Sequence, residues 1–257
     1  MKTKKTNFLQ VNYNSLLNSF KKINSNIAFM AFYDLLFYSI TYFLALGSFR
    51  FLEKMAASVN LPANFLALDA MQATEVLSSL KNFFYLLIFI AITLILLLIL
   101  NWSLFKGLNW SIAAGKKFNF AFFKKFALLN LVWLGSIILL IFLVALGFKQ
   151  STVPVFLLAI ILVSVYFTGI LYALFVQESS FKAIKKAFIL GFAKIHYFVF
   201  PYAAAGLILY GLSKLLSLFA MPQKIYIEVL ILAFTIYTAW FRLYIVETVN
   251  SIKSGQR

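Results

Sequence analysis

Six stretches of about 20 mostly apolar residues, each bounded by charged clusters, recur near 27–47, 82–104, 126–147, 154–177, 197–219 and 225–247. At about 1.5 Å per residue, a helix of that length spans the roughly 30 Å hydrocarbon core of a bilayer. In lipid the backbone must satisfy its own polar groups, so each stretch is expected to be helical. The second is the most apolar, with Thr93 almost its only polar residue between Phe83 and Leu100. Only 12% of the chain is charged, against about 25% in a soluble domain, which excludes a water-soluble globule. The sequence predicts an all-α, polytopic integral membrane protein of six transmembrane helices with amphipathic interfacial helices. It reads as a single membrane domain over 1–257: a cytosolic amphipathic segment 1–26, a six-span bundle 27–247 and a cytosolic tail 248–257.

The formal charge of +16 is distributed by side. The start, the second and fourth connections and the end carry sixteen Lys and Arg, including Lys21, Lys22, Lys116, Lys117, Lys185 and Lys186. The alternate side carries five, Arg50, Lys54, Lys81, Lys149 and Lys224. This asymmetry predicts a multi-pass plasma-membrane protein with both termini cytoplasmic, its lysines against anionic headgroups of the bilayer. It also accounts for the charge without nucleic acid, for which no long basic stretch is present. No cleaved signal peptide is expected, because the first apolar run starts about 26 residues in and is too long for an h-region.

Residues 8–23 read as an amphipathic helix. Leu9, Tyr13, Leu16, Leu17, Phe20 and Ile23 fall at helical spacing, with Asn12, Asn14, Asn18, Lys21 and Lys22 around them. Such a helix is expected to lie flat on the inner leaflet. The segment Leu16–Ile23 has echoes at Ser111–Phe118 and Ser180–Ala187, each with a lysine pair before an inward-to-outward span. One reading is three copies of an interfacial helix plus a hairpin. The other is that lysine pairs are common at membrane entries. A further helix is expected over 62–80, opened by Pro62.

With these cytosolic helices before successive hairpins, and patterns such as Gln177-Glu178-Ser179-Ser180-Phe181-Lys182 and Gly191-Phe192, the chain resembles uncharacterised six-span prokaryotic membrane proteins. Those are related to the membrane domain accompanying some glycerophosphodiester phosphodiesterases. The resemblance implies an accompanying membrane part, not the catalytic barrel, and no functional residue carries over.

There are no cysteines and a single histidine, so no thiolate site or disulfide is possible and no metal or cofactor is expected. His196, at the entry of the fifth span, reads as interfacial. An enzyme would require Asp34, Glu178, Glu247 or His196 to converge, and the chain is expected not to be one. Gly206 and Gly211 read as small residues permitting close helix contact, and Pro201 as a kink.

Polar residues inside the spans are costly and therefore informative. Asp34, Tyr38, Thr41 and Tyr42 share one face of the first span; Glu228, Thr235, Thr238 and Arg242 share one face of the sixth. Asp34 lies about 10 Å and Arg242 about 8 Å from the same side, which predicts neighbouring first and sixth spans and a direct pair. Asn130, about 6 Å into the third span, can add a hydrogen bond. The competing readings are that Arg242 snorkels to the headgroups or that Asp34 is protonated against Tyr38. The function expected is lipid or small-solute handling by a transporter-like or accessory protein. The alternatives are a permease subunit with a separate ATPase, for which a cytosolic helix over 105–125 offers a docking element, and a membrane scaffold or assembly factor.

Overall fold

A computed structural model describes residues 8–57, 69–219 and 222–254. Among them are eight helices: α1 (Phe8–Lys21), α2 (Ser25–Ala57), α3 (Ala70–Ala113), α4 (Phe120–Gly147), α5 (Val153–Glu178), α6 (Lys182–Ala193), α7 (Ile195–Ser217) and α8 (Gln223–Ser254). Six of these, all but α1 and α6, are long and apolar enough to cross a membrane. The architecture is all-α and multi-pass. The part of the expected 62–80 helix that carries Pro62 lies outside the described residues. From Ala70 the chain is helical, opened by Asp69, whose Oδ1 accepts from Gln72 N at 2.7 Å while its own N–H donates to Gln72 Oε1 at 3.4 Å, a reciprocal capping arrangement.

Three helices run well past the predicted ends of their spans, α2 reaching Ala57 instead of 47. α3 continues past 104 to Ala113, so the separate cytosolic helix expected over 105–125 does not form. The stop is chemical. Gly115 adopts φ +63°, its N–H donates to Ile112 O at 3.0 Å and Lys116 N–H to Ser111 O at 2.8 Å. This is a Schellman cap, which needs the left-handed conformation glycine adopts cheaply. Asn119 then caps α4 through Phe122 N at 2.8 Å. α8 likewise runs to Ser254, and Val249 and Ile252 are buried. Residues 248–254 of the expected cytosolic tail are therefore the end of a packed helix, and 255–257 lie outside the described residues.

Residues 36–102 cluster as one compact unit and the remaining described residues as another. In the 36–102 unit, Asn101 Nδ2 donates to Thr41 Oγ1 at 3.0 Å, and Phe37 meets Trp102 edge-on at 5.5 Å. The apolar stretch of α3 is outward-facing here, with Phe84, Tyr85 and Phe89 exposed, as expected for the most apolar span.

The other unit holds the core. Residues 169–176 of α5 and 242–249 of α8 are buried on every side; the α5 stretch is apolar almost all round, whereas the α8 stretch carries Arg242 and Glu247, each held by an ion pair. Phe126, Tyr172 and Phe175 interlock with Phe122 and Trp110 at centroid distances of 4.9–5.9 Å. The polar residues Ser164, Thr168 and Tyr172 of α5 serve packing: Trp133 Nε1 donates to Thr168 Oγ1 at 2.8 Å, and Tyr172 OH to Asn130 Oδ1. In α7, Tyr210 and Ser213 face outward. The helix runs unbroken through Pro201.

α1 is turned over relative to a simple surface helix. Its small polar residues Asn12, Ser15 and Ser19 are buried, whereas Leu9, Tyr13, Leu17 and Phe20 are exposed. Ser15 Oγ donates to Ser251 Oγ at 3.0 Å, Trp240 Nε1 to Ser19 Oγ at 3.1 Å, and Phe20 stacks on Trp240 at 5.1 Å. Small side chains let two backbones approach closely, so α1 docks on α8 by its polar face and leaves its apolar face to the surroundings. Lys22 closes the contact on Glu247.

The three lysine-pair segments end up in unlike places. Lys21 ends α1, Lys116 and Lys117 follow the cap of α3, and Lys185 and Lys186 sit within α6. A short helix precedes a pair of spanning helices at α1 and at α6, as the repeat expects, but among the described residues none stands before α4 and α5, and the lysine pairs do not share one helical position. Gly206 and Gly211 are also placed differently from expectation, with open space where a side chain would go. Among the described residues the close approaches are instead at Gly169 and Gly191, and less tightly at Gly107.

Candidate functional site

Asp34 is fully buried, about 14 Å from the start of α2, and Lys106 lies about 10 Å from the end of α3. Both are buried, and an isolated ion there costs several kcal/mol after relaxation. The chain answers by gathering partners on one carboxylate. Asp34 Oδ1 accepts from Lys106 Nζ at 2.7 Å, Asn109 Nδ2 at 2.9 Å and Arg242 Nη2 at 3.0 Å. Its Oδ2 stands 2.7 Å from Arg242 Nη1, an ionic contact off the line of a hydrogen bond, and 3.3 Å from Thr238 Oγ1. The Lys106 and Arg242 side chains are each only 8% exposed.

The predicted Asp34 and Arg242 pair is thus present, with α2 and α8 brought together at that level. Asn130 is buried too, but it belongs to an adjoining network: its Nδ2 donates to Ser103 Oγ at 3.0 Å and its Oδ1 accepts from Tyr172 OH. Two other groups take the place it was expected to fill beside Asp34. Lys106 reads in the sequence as part of a cytosolic connection, because a lysine after an apolar run marks a membrane boundary. The signal for it is continuity: apart from Gly107, through which α3 runs, no helix stop intervenes before Gly115, and Lys106 and Asn109 are one turn apart among Trp102, Phe105, Leu108 and Trp110. Tyr38, one turn beyond Asp34 on α2, falls in the 36–102 unit and is 39% exposed.

At their ordinary charges the three ionised groups sum to +1, since one carboxylate faces two cations. The cluster therefore carries one cation more than its carboxylate balances, and Asn109 Oδ1 is buried beside it without a hydrogen-bond partner. The two other carboxylates read as candidates, Glu178 and Glu247, have their own partners. Glu178 receives Lys186 at 2.7 Å and Lys253 at 3.2 Å, and Glu247 holds Lys22. His196 is exposed and lies between Phe8 and Tyr197 at 5.4 and 4.5 Å. Lys21 and Lys185 are exposed, and Lys116 and Lys117 line a surface cavity.

Fold and composition together define an all-α protein with six membrane-spanning helices. The chain matches no protein-family model, no curated protein and no solved structure.

Proposed function

We propose that this is a non-enzymatic, multi-pass plasma-membrane protein, transporter-like or accessory, that handles an anionic lipid or small anionic solute. The observation that carries the reading is the buried carboxylate facing two cations. Ionised groups within a span are expensive, and an apolar cluster of the same shape would hold the helices as well. A surplus cation at that depth favours an anionic ligand over a neutral or cationic one. The accessory role agrees with the resemblance to membrane domains that accompany a separate catalytic barrel.

The test removes the surplus charge and keeps the donors. Protein extracted with its native lipids should carry one anionic species per chain, identified by mass spectrometry. Lys106→Gln should retain its helicity and elution volume but lose that species by about tenfold or more, about 1.4 kcal/mol. If both proteins carry the same complement, the cluster is a structural lock. That outcome would bring forward the second reading, a membrane scaffold or assembly factor, which the burial of all three charged groups favours. A permease subunit driven by a separate ATPase is less well supported, because α3 occupies the segment expected to dock it.

The orientation proposed, with both termini cytoplasmic, rests on the lysine asymmetry. Lys106 leaves that count for the bundle interior, and fifteen against five still points the same way. Without native cysteines the background is clean. Cysteines at Lys22 and Lys185 should stay unlabelled by an impermeant maleimide on intact cells, and one at Gln72 should react. Labelling of Lys185→Cys from outside would invert the topology.

A further inference from the structure

We propose that the cavity between the α3–α4 turn and the end of α5 binds a phosphate group, carried by a phospholipid headgroup or a free phosphate ester. The cavity has a volume of about 370 Å³ and is lined by Lys116, Lys117, Lys125, Asn119 and Ser179, with Phe122 as part of its apolar wall. That size is at the low end of ordinary small-ligand pockets, about 300–1,000 Å³.

Three cations line it and no carboxylate does. The acid nearest in sequence, Glu178, is engaged by Lys186 and Lys253, and the Gln177 amide is taken up by Asn250 at 2.9 Å and Lys253 at 2.8 Å. The positive charge of the cavity is therefore left uncompensated by the protein. Its walls are also fixed in place. The Schellman cap at Gly115 ties Lys116 to Ser111 O, and Ser179 closes α5 in the left-handed region at φ 48° with its N–H on Phe175 O. Opposite them, α4 begins. Asn119 takes the Phe122 N–H through its side chain and the Phe123 N–H through its carbonyl. The N–H groups of Phe120 and Ala121 have no acceptor within the helix, and the first turn adds a partial positive charge.

Positive-inside selection alone explains lysines near this end, but a uniform surface potential requires no cavity and no arrangement around one. Phosphate fits three convergent ammonium groups, which act as point charges with rotatable donors. The proposal extends the anion-handling reading to a second site, and its test uses different residues.

Full-length protein in lipid nanodiscs is titrated with phosphatidic acid against a phosphatidylcholine background, with bound lipid counted by native mass spectrometry. In neutral detergent its thermal unfolding is followed with inorganic phosphate and with chloride at equal ionic strength. The triple variant Lys116→Gln, Lys117→Gln, Lys125→Gln is compared with a control of equal charge loss, Lys21→Gln, Lys182→Gln, Lys185→Gln. The first should lose binding by about tenfold or more, and the control by less than about twofold. Stabilisation by inorganic phosphate in the wild type alone identifies a free phosphate ester as the source; a response to phosphatidic acid alone identifies the headgroup. Equal losses in the two triples, or no preference for either phosphate probe, would overturn the proposal. Lys106→Gln carried through the same assay should lose at most the single species assigned to the buried cluster and keep the binding that the Lys116, Lys117, Lys125 triple loses, so failure here and failure of the buried-cluster reading remain separate results.

Discussion

Asp34→Leu should be the most damaging substitution in the buried cluster, and by more than the loss of either cation. Removing the carboxylate leaves Lys106 and Arg242 facing each other without a counter-charge, at side chains only 8% exposed. Breaking a buried ion pair by deleting one partner costs about 3–5 kcal/mol, and here two ions are stranded by one change. Arg242→Leu leaves Asp34 with Lys106, and Lys106→Leu leaves it with Arg242, so each retains a balanced pair and should cost less than half as much. The double variant Asp34→Leu, Arg242→Leu recovers only part of the loss, because Lys106 still lacks the carboxylate that balances its charge. The triple Asp34→Leu, Lys106→Leu, Arg242→Leu should recover most of it, since apolar replacements of similar volume commonly match or exceed a buried ionic cluster. Unfolding in detergent at one ionic strength gives the ranking. A result in which Arg242→Leu is as costly as Asp34→Leu would show that Lys106 does not share the charge of Asp34.

The sequence made the pair legible because depth and face are both functions of residue number along a helix. Asp34 and Arg242 were each too far from a helix end to be ordinary boundary residues, and each lay on a polar stripe. Lys106 was not legible by the same rule. A lysine after an apolar run marks the end of a span, so a lysine inside the bundle reads as its edge. Helix continuity is the better guide at that point. Between Leu100 and Gly115 nothing breaks the helix, and the glycine adopts the positive φ that ends it.

α1 shows a second limit. Its amphipathic period was plain, but a hydrophobic stripe does not say which side the protein takes when the surroundings are apolar as well. In water the stripe would face the core. Here Ser15 and Ser19 pack on α8 because hydroxyls and small volumes fit a close helix contact, and the leucines and aromatics lose nothing by facing outward. The same physics moved the glycines. A Gly-rich span suggests close packing, yet whether a helix meets a neighbour at that turn is a fact of the fold, and at Gly206 and Gly211 it meets none.

Gly191→Ala should destabilise the protein by about 1–3 kcal/mol, the usual cost of forcing extra volume into a filled contact. A Cβ at Gly191 would stand 2.6 Å from Phe167 Cε1 and 3.2 Å from its Cδ1, with Ile170 Cδ1 at 3.4 Å. Phe167 is 4% exposed and held between Phe188 at 4.8 Å and Phe192 at 5.1 Å, so the ring has little room to yield. The carbonyl of Gly191 also accepts from Tyr166 OH at 2.8 Å, and a shift of α6 away from α5 would stretch that bond. Helix propensity works the other way, because alanine is favoured over glycine by about 1 kcal/mol in a helix interior. At Gly206 and Gly211, where nothing lies within 4 Å of the added carbon, only the propensity gain remains, so alanine there should be neutral or stabilising. The sign therefore separates the sites: a loss at Gly191 against no loss at Gly206 and Gly211, read as unfolding midpoints in the same detergent. Gly191→Leu should be worse again, and rescue of Gly191→Ala by Phe167→Leu, which removes the ring the new carbon strikes, would identify the contact responsible. A Gly191→Ala protein as stable as the wild type would mean that α6 does not rest on α5 at this distance.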